Sequence, residues 1–102
     1  MTVHYKELDI LEGLKDIIVT AMRTDKMKIQ PDSRIFSDLG AESLDVLDIR
    51  FRIEAMFGFK ISDGELIHQL GDNLTAEEIE KKFTIHSLLV YVQSRLNNSE
   101  DK

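Results

Sequence analysis

Apolar residues keep helical spacing over most of this chain. From about Val3 to Met22, one stripe runs through Leu8, Leu11, Leu14, Ile18 and Met22, widened by Ile10, Ile17 and Ala21. That pattern predicts a helix with one buried face, and Glu7, Glu12, Lys15 and Asp16 supply its wet side. The period breaks in MKIQPDSRIFSDLGAE, which holds the only proline, Pro31, and Gly40. This stretch reads as a long loop, and its apolar residues Ile29, Ile35, Phe36 and Leu39 predict that it packs on the rest of the fold.

A second helix is predicted from Ser43 to Phe57, ending at Gly58, where a glycine can take the left-handed conformation. A short third element follows in ELIHQL, with Ser62 and Glu65 at capping-box spacing. Thr75 and Glu78 repeat that spacing ahead of AEEIEKKF. The last helix is expected to start near Thr84 and to bury Leu88, Leu89, Val92 and Leu96. Nothing reads as a sheet, an internal repeat or a low-complexity segment. The fold class is therefore all-α: a small bundle with a long first loop and an extra short helical element before the last helix. Residues 1–97 read as one domain and 98–102 as a solvated tail.

The second helix carries apolar residues on two faces. Val46, Ile49, Ile53 and Phe57 form a stripe that suits the core. Leu44, Leu47 and Phe51 form another, beginning beside Ser43 and flanked by Asp45, Asp48 and Glu54. Burial of both stripes is one reading. The other is that the second stripe is partly exposed and, rimmed by charge, meets a partner transiently.

Charge narrows the partners. Thirteen Lys and Arg against nineteen Asp and Glu give a formal net charge of -6, the wrong sign for gripping a phosphate backbone. Nucleic acid is excluded as a partner on that ground, and a basic protein surface fits. The chain has no cysteine, so neither disulfides nor thiolate metal sites come from the protein itself. No long apolar run or charged-then-apolar leader is present, and the expectation is a cytoplasmic monomer without membrane insertion. His4, His68 and His86 are too scattered for a helical ligand pair, so no metal site is assigned. The ISDGEL turn lacks the alternating acids of a calcium loop.

DLGAESLD, residues 38–45, raises the question of chemistry. A serine nucleophile needs a general base, and Ser43 is surrounded by carboxylates instead. As a structural residue Ser43 could cap the second helix, with Asp45 favouring the helix dipole and Asp48 pairing with Arg52 four residues on. Local physics leaves both a structural and a functional serine standing. A hydrolase is disfavoured, since no strand precedes Ser43 to form a nucleophile elbow and no histidine has a triad context.

IFSDLGAESLDVLDIRFRIEAMFGFKIS resembles the modification site and second helix of the acyl carrier proteins. Asp38, Leu39, Gly40, Ser43, Leu44, Asp45, Asp48, Ile53, Glu54 and Phe57 match that family's pattern in place. The likeness extends more loosely over nearly the whole chain. It implies a four-helix bundle of acyl-carrier type and a carrier instead of an enzyme. It also implies that Ser43 is acted upon: a phosphopantetheinyl transferase, the holo-carrier synthase, joins 4'-phosphopantetheine from coenzyme A to the hydroxyl. The arm's thiol then carries acyl intermediates of fatty-acid, polyketide or related lipid biosynthesis. Partner enzymes with basic patches would meet Asp38, Glu42, Leu44, Asp45, Leu47, Asp48, Phe51 and Glu54. An acyl-chain groove is expected from Val46, Ile49, Ile53, Leu66, Leu70, Leu88 and Val92.

Several positions depart from the family pattern. Glu42 stands where Asp is usual, Arg50 and Arg52 interrupt a normally acidic or apolar stretch, and Ala55 and Met56 replace common acids. The segment from Lys60 to Phe83 is longer than usual. These features point to a specialised carrier. A peptidyl or aryl carrier domain and an unmodified carrier-like adaptor remain as alternatives, although an adaptor has no need of the hydroxyl.

Overall fold

The structure, a computed structural model, describes residues 7–100, with side chains for residues 7–98. The expected helix start at Val3, His4, and the last tail residues Asp101 and Lys102 lie outside the described residues. Among the described residues the α-helices are α1 (Glu7–Met22), α2 (Ser43–Phe57), α3 (Glu65–His68), α4 (Ala76–Lys82) and α5 (Ile85–Glu100), with one 3-10 turn, Lys26–Lys28, in the first loop. Three long helices thus make the frame, and two short ones fill the segment between α2 and α5.

Helix α1 buries Ile10, Leu14, Ile17 and Ile18, but Leu8 is 67% exposed, against its expected place in the buried stripe. The line through Ile10, Leu14 and Ile17 sets the inner face, and Leu8 lies two positions before Ile10, roughly 200° round the helix from it. Where α1 crosses α2, a Cβ on Gly13 would come within 2.8 Å of Met56 Sδ and 3.2 Å of Phe57 Cζ. The missing side chain lets the two helices approach.

The long loop packs as its apolar residues require, with Ile29 and Ile35 buried and Phe36 and Leu39 half-buried against the core. It is also tied through its backbone. The Ile35 N–H donates to the Phe83 carbonyl (2.9 Å), Ile85 N–H to Ser33 (3.2 Å) and His86 N–H to Pro31 (2.8 Å). This single antiparallel bridge, centred on Arg34 and Thr84, had no signature in a sequence that showed no strand pattern. It fastens the middle of the loop to the start of α5.

Helix α2 starts and stops where its pattern predicts. Gly58 has φ 79°, a conformation that costs a side-chain-bearing residue but not glycine, and its N–H reaches the Glu54 carbonyl at 2.9 Å. Thr75 and Glu78 form the expected reciprocal cap of α4, both bonds 3.1 Å. At Ser62 the Glu65 carboxylate accepts the backbone N–H (3.0 Å), although the residue directly ahead of α3 is Gly64. Helix α5 begins at Ile85, with Thr84 and Ser87 bonding each other's N–H at 3.0 and 3.1 Å. It buries Leu88, Leu89 and Val92, while Leu96 is half-buried. Its backbone stays helical to Glu100, past position 98 where the sequence reading begins the tail.

A polar clamp holds the inserted segment to α5. Arg95 donates to the Glu65 carboxylate at 2.6 Å, to the Tyr91 hydroxyl at 2.7 Å and to the Lys60 carbonyl at 2.6 Å. The Tyr91 hydroxyl donates to the same carboxylate oxygen, and the Arg95 guanidinium lies 4.5 Å over the Phe59 ring. Charge-assisted bonds of this kind are stronger than neutral ones. Tyr91 holds the Glu65 carboxyl below its ordinary value of 4.5, helped by the Ser62 N–H and Arg95. Burial, then the bond to Glu65, pushes the Tyr91 phenol up to about 12.

The clamp therefore has a defined pH window. Because the folded Glu65 carboxyl titrates below 4.5, its contribution is complete above that pH and is lost as the pH falls through the lower, folded value. Glu65→Gln should cost about 1–2 kcal/mol at neutral pH, a range reduced for the partial exposure of the pair. Urea unfolding of both proteins across the acid range should show this difference closing as Glu65 protonates. A difference that stays constant into strong acid would place the destabilisation elsewhere.

Candidate functional site

The approach to Ser43 is built by a closed turn. The Asp38 carboxylate accepts the Arg34 N–H at 2.8 Å, Gly40 N–H reaches the Phe36 carbonyl at 3.1 Å and Ala41 N–H the Ile35 carbonyl at 3.1 Å. Gly40 sits at φ 73° with no atom near its missing Cβ, so the position requires a left-handed backbone and leaves no bulk beside the site. Glu42 then takes the extended N-cap conformation, and the Asp45 carboxylate accepts its N–H at 2.8 Å.

Ser43 is the first helical residue and not the cap, which corrects the structural alternative for this serine. Its side chain is exposed, and its hydroxyl makes no hydrogen bond among the described residues. No general base is seated on it. Capping is done by its neighbours.

The two apolar stripes of α2 separate cleanly. Ile49, Ile53 and Phe57 are buried and Val46 is half-buried against the core. Leu44 is 77% exposed, Phe51 51% and Leu47 38%. The second stripe thus faces outward, and it continues directly from Ser43.

The acids around this stripe do structural work as well. Besides Asp38 and Asp45, Asp48 pairs with Arg52 Nε through both oxygens at 3.1 Å. Glu54 accepts the Ile61 N–H at 2.7 Å, which ties it to the chain leaving α2. Glu42 is exposed at the cap. Among the described residues no group of three His, Asp or Glu side chains could hold a metal ion.

A cavity of about 210 Å³ opens beside Ser43, lined by Phe36, Val46, Leu47, Asp63, Gly64 and Ile67. Of the residues expected in a groove, only Val46 lines it. Ile49, Ile53, Leu66, Leu88 and Val92 are sealed in the core, and Leu70 is half-buried against it. Ile67 belongs to the segment after α2 that the sequence already offers as a wall for an acyl chain, whereas Phe36, Asp63 and Gly64 come from loops and reach Ser43 only by tertiary contact. Arg50 was noted only as an interruption. Its guanidinium reaches Asp63 at 3.4 Å and lies 4.8 Å over the Phe51 ring, while its Nε is buried without a partner. Standing four residues after Val46 and three after Leu47, Arg50 shares their side of α2.

This arrangement fits a phosphate-linked arm on Ser43. The hydroxyl is exposed and uncommitted, it stands at a helix start where backbone N–H groups favour an anion, and an apolar cavity adjoins it. No base is needed in this chain if a second protein supplies it.

Comparison with known proteins gives the family. The family model described as phosphopantetheine attachment site matches residues 12–81. The chain is similar to the acyl carrier protein of Solidesulfovibrio magneticus, 35% identical over 77 residues, which is 74% of this chain and 96% of the relative. It is similar to that of Helicobacter hepaticus, 29% identical over 87 residues, 85% of this chain and 97% of the relative. A third, from Campylobacter hominis, is 28% identical over 91 residues, 89% and 99% respectively. With an exposed serine at the head of α2, an apolar cavity beside it and similarity across most of its length, the chain belongs to the acyl carrier protein family, carriers of 4'-phosphopantetheine and not enzymes.

Proposed function

We propose that Ser43 is the attachment serine and that this protein carries acyl intermediates of fatty-acid, polyketide or related lipid biosynthesis. The observation that supports this most is the uncommitted hydroxyl of Ser43 at the junction of an exposed apolar stripe and an apolar cavity. The arm, once attached, supplies the thiol that holds the acyl group. Everything else falls to the chain's own residues. The turn through Asp38 and Gly40 presents the hydroxyl, and the outward stripe of Leu44, Leu47 and Phe51 offers contact area. Glu42, Asp45 and Asp48, with Asp38 and Glu54 at its ends, give the face its negative field.

That field suits partners with basic patches, the phosphopantetheinyl transferase first among them. Exposed charge speeds encounter and is weakened by salt, so a complex can form quickly and part again. Val46, with Phe36, Leu47 and Ile67 from the same lining, is the apolar surface against which a chain would rest, while Ile49, Ile53, Leu66, Leu88 and Val92 would be reached only if the core opened. Burial favours such a rest by about 0.8 kcal/mol per methylene.

Incubation with coenzyme A and a broad-specificity phosphopantetheinyl transferase should add one phosphopantetheine by intact mass, and Ser43→Ala should add none. An adduct that survives Ser43→Ala would overturn the assignment.

Docking is tested by reversing charge while keeping the carboxylate that holds the helix start. Glu42→Lys combined with Asp48→Lys changes the N-cap side chain and gives up the Arg52 pair, but it keeps Asp45 on the N–H of residue 42, so helicity by circular dichroism should be largely retained. Modification at low salt should slow by about tenfold or more, the size of ordinary electrostatic steering, and its salt dependence should flatten. A variant modified at the wild-type rate at low salt would confine these acids to helix stability.

A further inference from the structure

Phe36 belongs to two cavities at once. One is the cavity beside Ser43. The other, also about 210 Å³, lies along α4 and is lined by Phe36, Ala76, Ile79 and Glu80. Phe36 is the one residue common to both linings. Its ring rests on the fully buried Phe83, centroids 5.3 Å apart and planes tilted by 42°, and its carbonyl is held by the Gly40 N–H at 3.1 Å. An aromatic ring backed by the core and fixed at its backbone does not swing aside as a surface side chain does.

We propose that Phe36 is a specificity-determining wall: it ends the space open to an acyl chain on Ser43 and separates it from a second apolar recess along α4. The inference rests on the carrier reading above and adds to it a limit on cargo size. Short chains fit on the Ser43 side of the ring. Longer ones meet Phe36 and return to solvent or to the partner enzyme. The far recess is open to solvent at Ala76 and Glu80; its apolar floor is Ile79, half-buried against the core, and α4 is held at its start by its own cap. Removing the ring joins the two spaces, and each methylene that then leaves water favours the sheltered state by roughly fourfold.

The test loads hexanoyl and dodecanoyl groups on the wild type, Phe36→Ala and Phe36→Leu, with intact mass confirming full loading. Amide chemical shifts of each acyl form are compared with the same protein carrying the free arm, which removes the effect of the substitution itself. In the wild type both chains should move Val46, Leu47 and Ile67 and leave Ala76 and Ile79 in place. In Phe36→Ala, dodecanoyl but not hexanoyl should move Ala76 and Ile79. Phe36→Leu, which keeps most of the buried volume and guards against a variant that does not fold, should show a smaller movement in the same direction. Resistance of the dodecanoyl thioester to hydroxylamine should rise in the same order, by at least the factor for one methylene.

Wild-type dodecanoyl protein that already moves Ala76 and Ile79 would overturn the wall. So would fully loaded, folded variants in which these two amides stay put. Failure to load at all would instead overturn the carrier reading, so the two failures are distinguishable.

Discussion

The backbone pairing between residues 31–35 and 83–86 is the constraint on which the rest of the structure depends. Ile35 donates its N–H to the Phe83 carbonyl and accepts the Ala41 N–H at its own carbonyl, so one residue joins the approach to α5 to the last residues before α2. Its side chain is fully buried, and losing such a residue's packing costs about 2–5 kcal/mol in comparable cores. Through Ile35 the loop stops being a tether. It becomes a rigid bracket that sets where Ser43 emerges and where Phe36 stands.

The same bracket explains how an acidic face can be both structural and available. Asp38 closes the turn, Asp45 holds the Glu42 N–H, Asp48 pairs with Arg52 and Glu54 secures Ile61. Asp38, Asp45 and Glu54 accept backbone N–H groups and so are fixed with no counter-charge beside them among the described residues, while at Asp48 the Arg52 guanidinium offsets the charge. The apolar stripe of Leu44, Leu47 and Phe51 stays outward because Ile49, Ile53 and Phe57 already fill the core side of α2. A helix that satisfies its core with one face leaves the other exposed.

Much of this was legible in the sequence. Helix α2 could be placed from Ser43 to Phe57 because its periodicity, its glycine stop and its motif all agree. The cap of α4 was readable from Thr75 and Glu78, where donor and acceptor lie three residues apart. Legibility ended where partners are distant in the chain. Glu65 and Arg95 stand thirty residues apart in their clamp, and the bridge of Arg34 to Thr84 has no strand pattern to announce it. Leu8 was misplaced for a different reason: α1 has apolar residues on more than one side, and only tertiary packing chose the line through Ile10. Phe36 read merely as a pin for the loop, because the cavities on either side of it exist only once α3 and α4 have folded over it.

The central claim is that Ser43 exists to be modified. Protein purified from its own cells under conditions that preserve thioesters, digested and weighed peptide by peptide, addresses it most directly. The account predicts that the peptide containing Ser43 carries phosphopantetheine, in part with an acyl group attached. A Ser43 peptide found only unmodified, with the arm absent or joined to another residue, would contradict it.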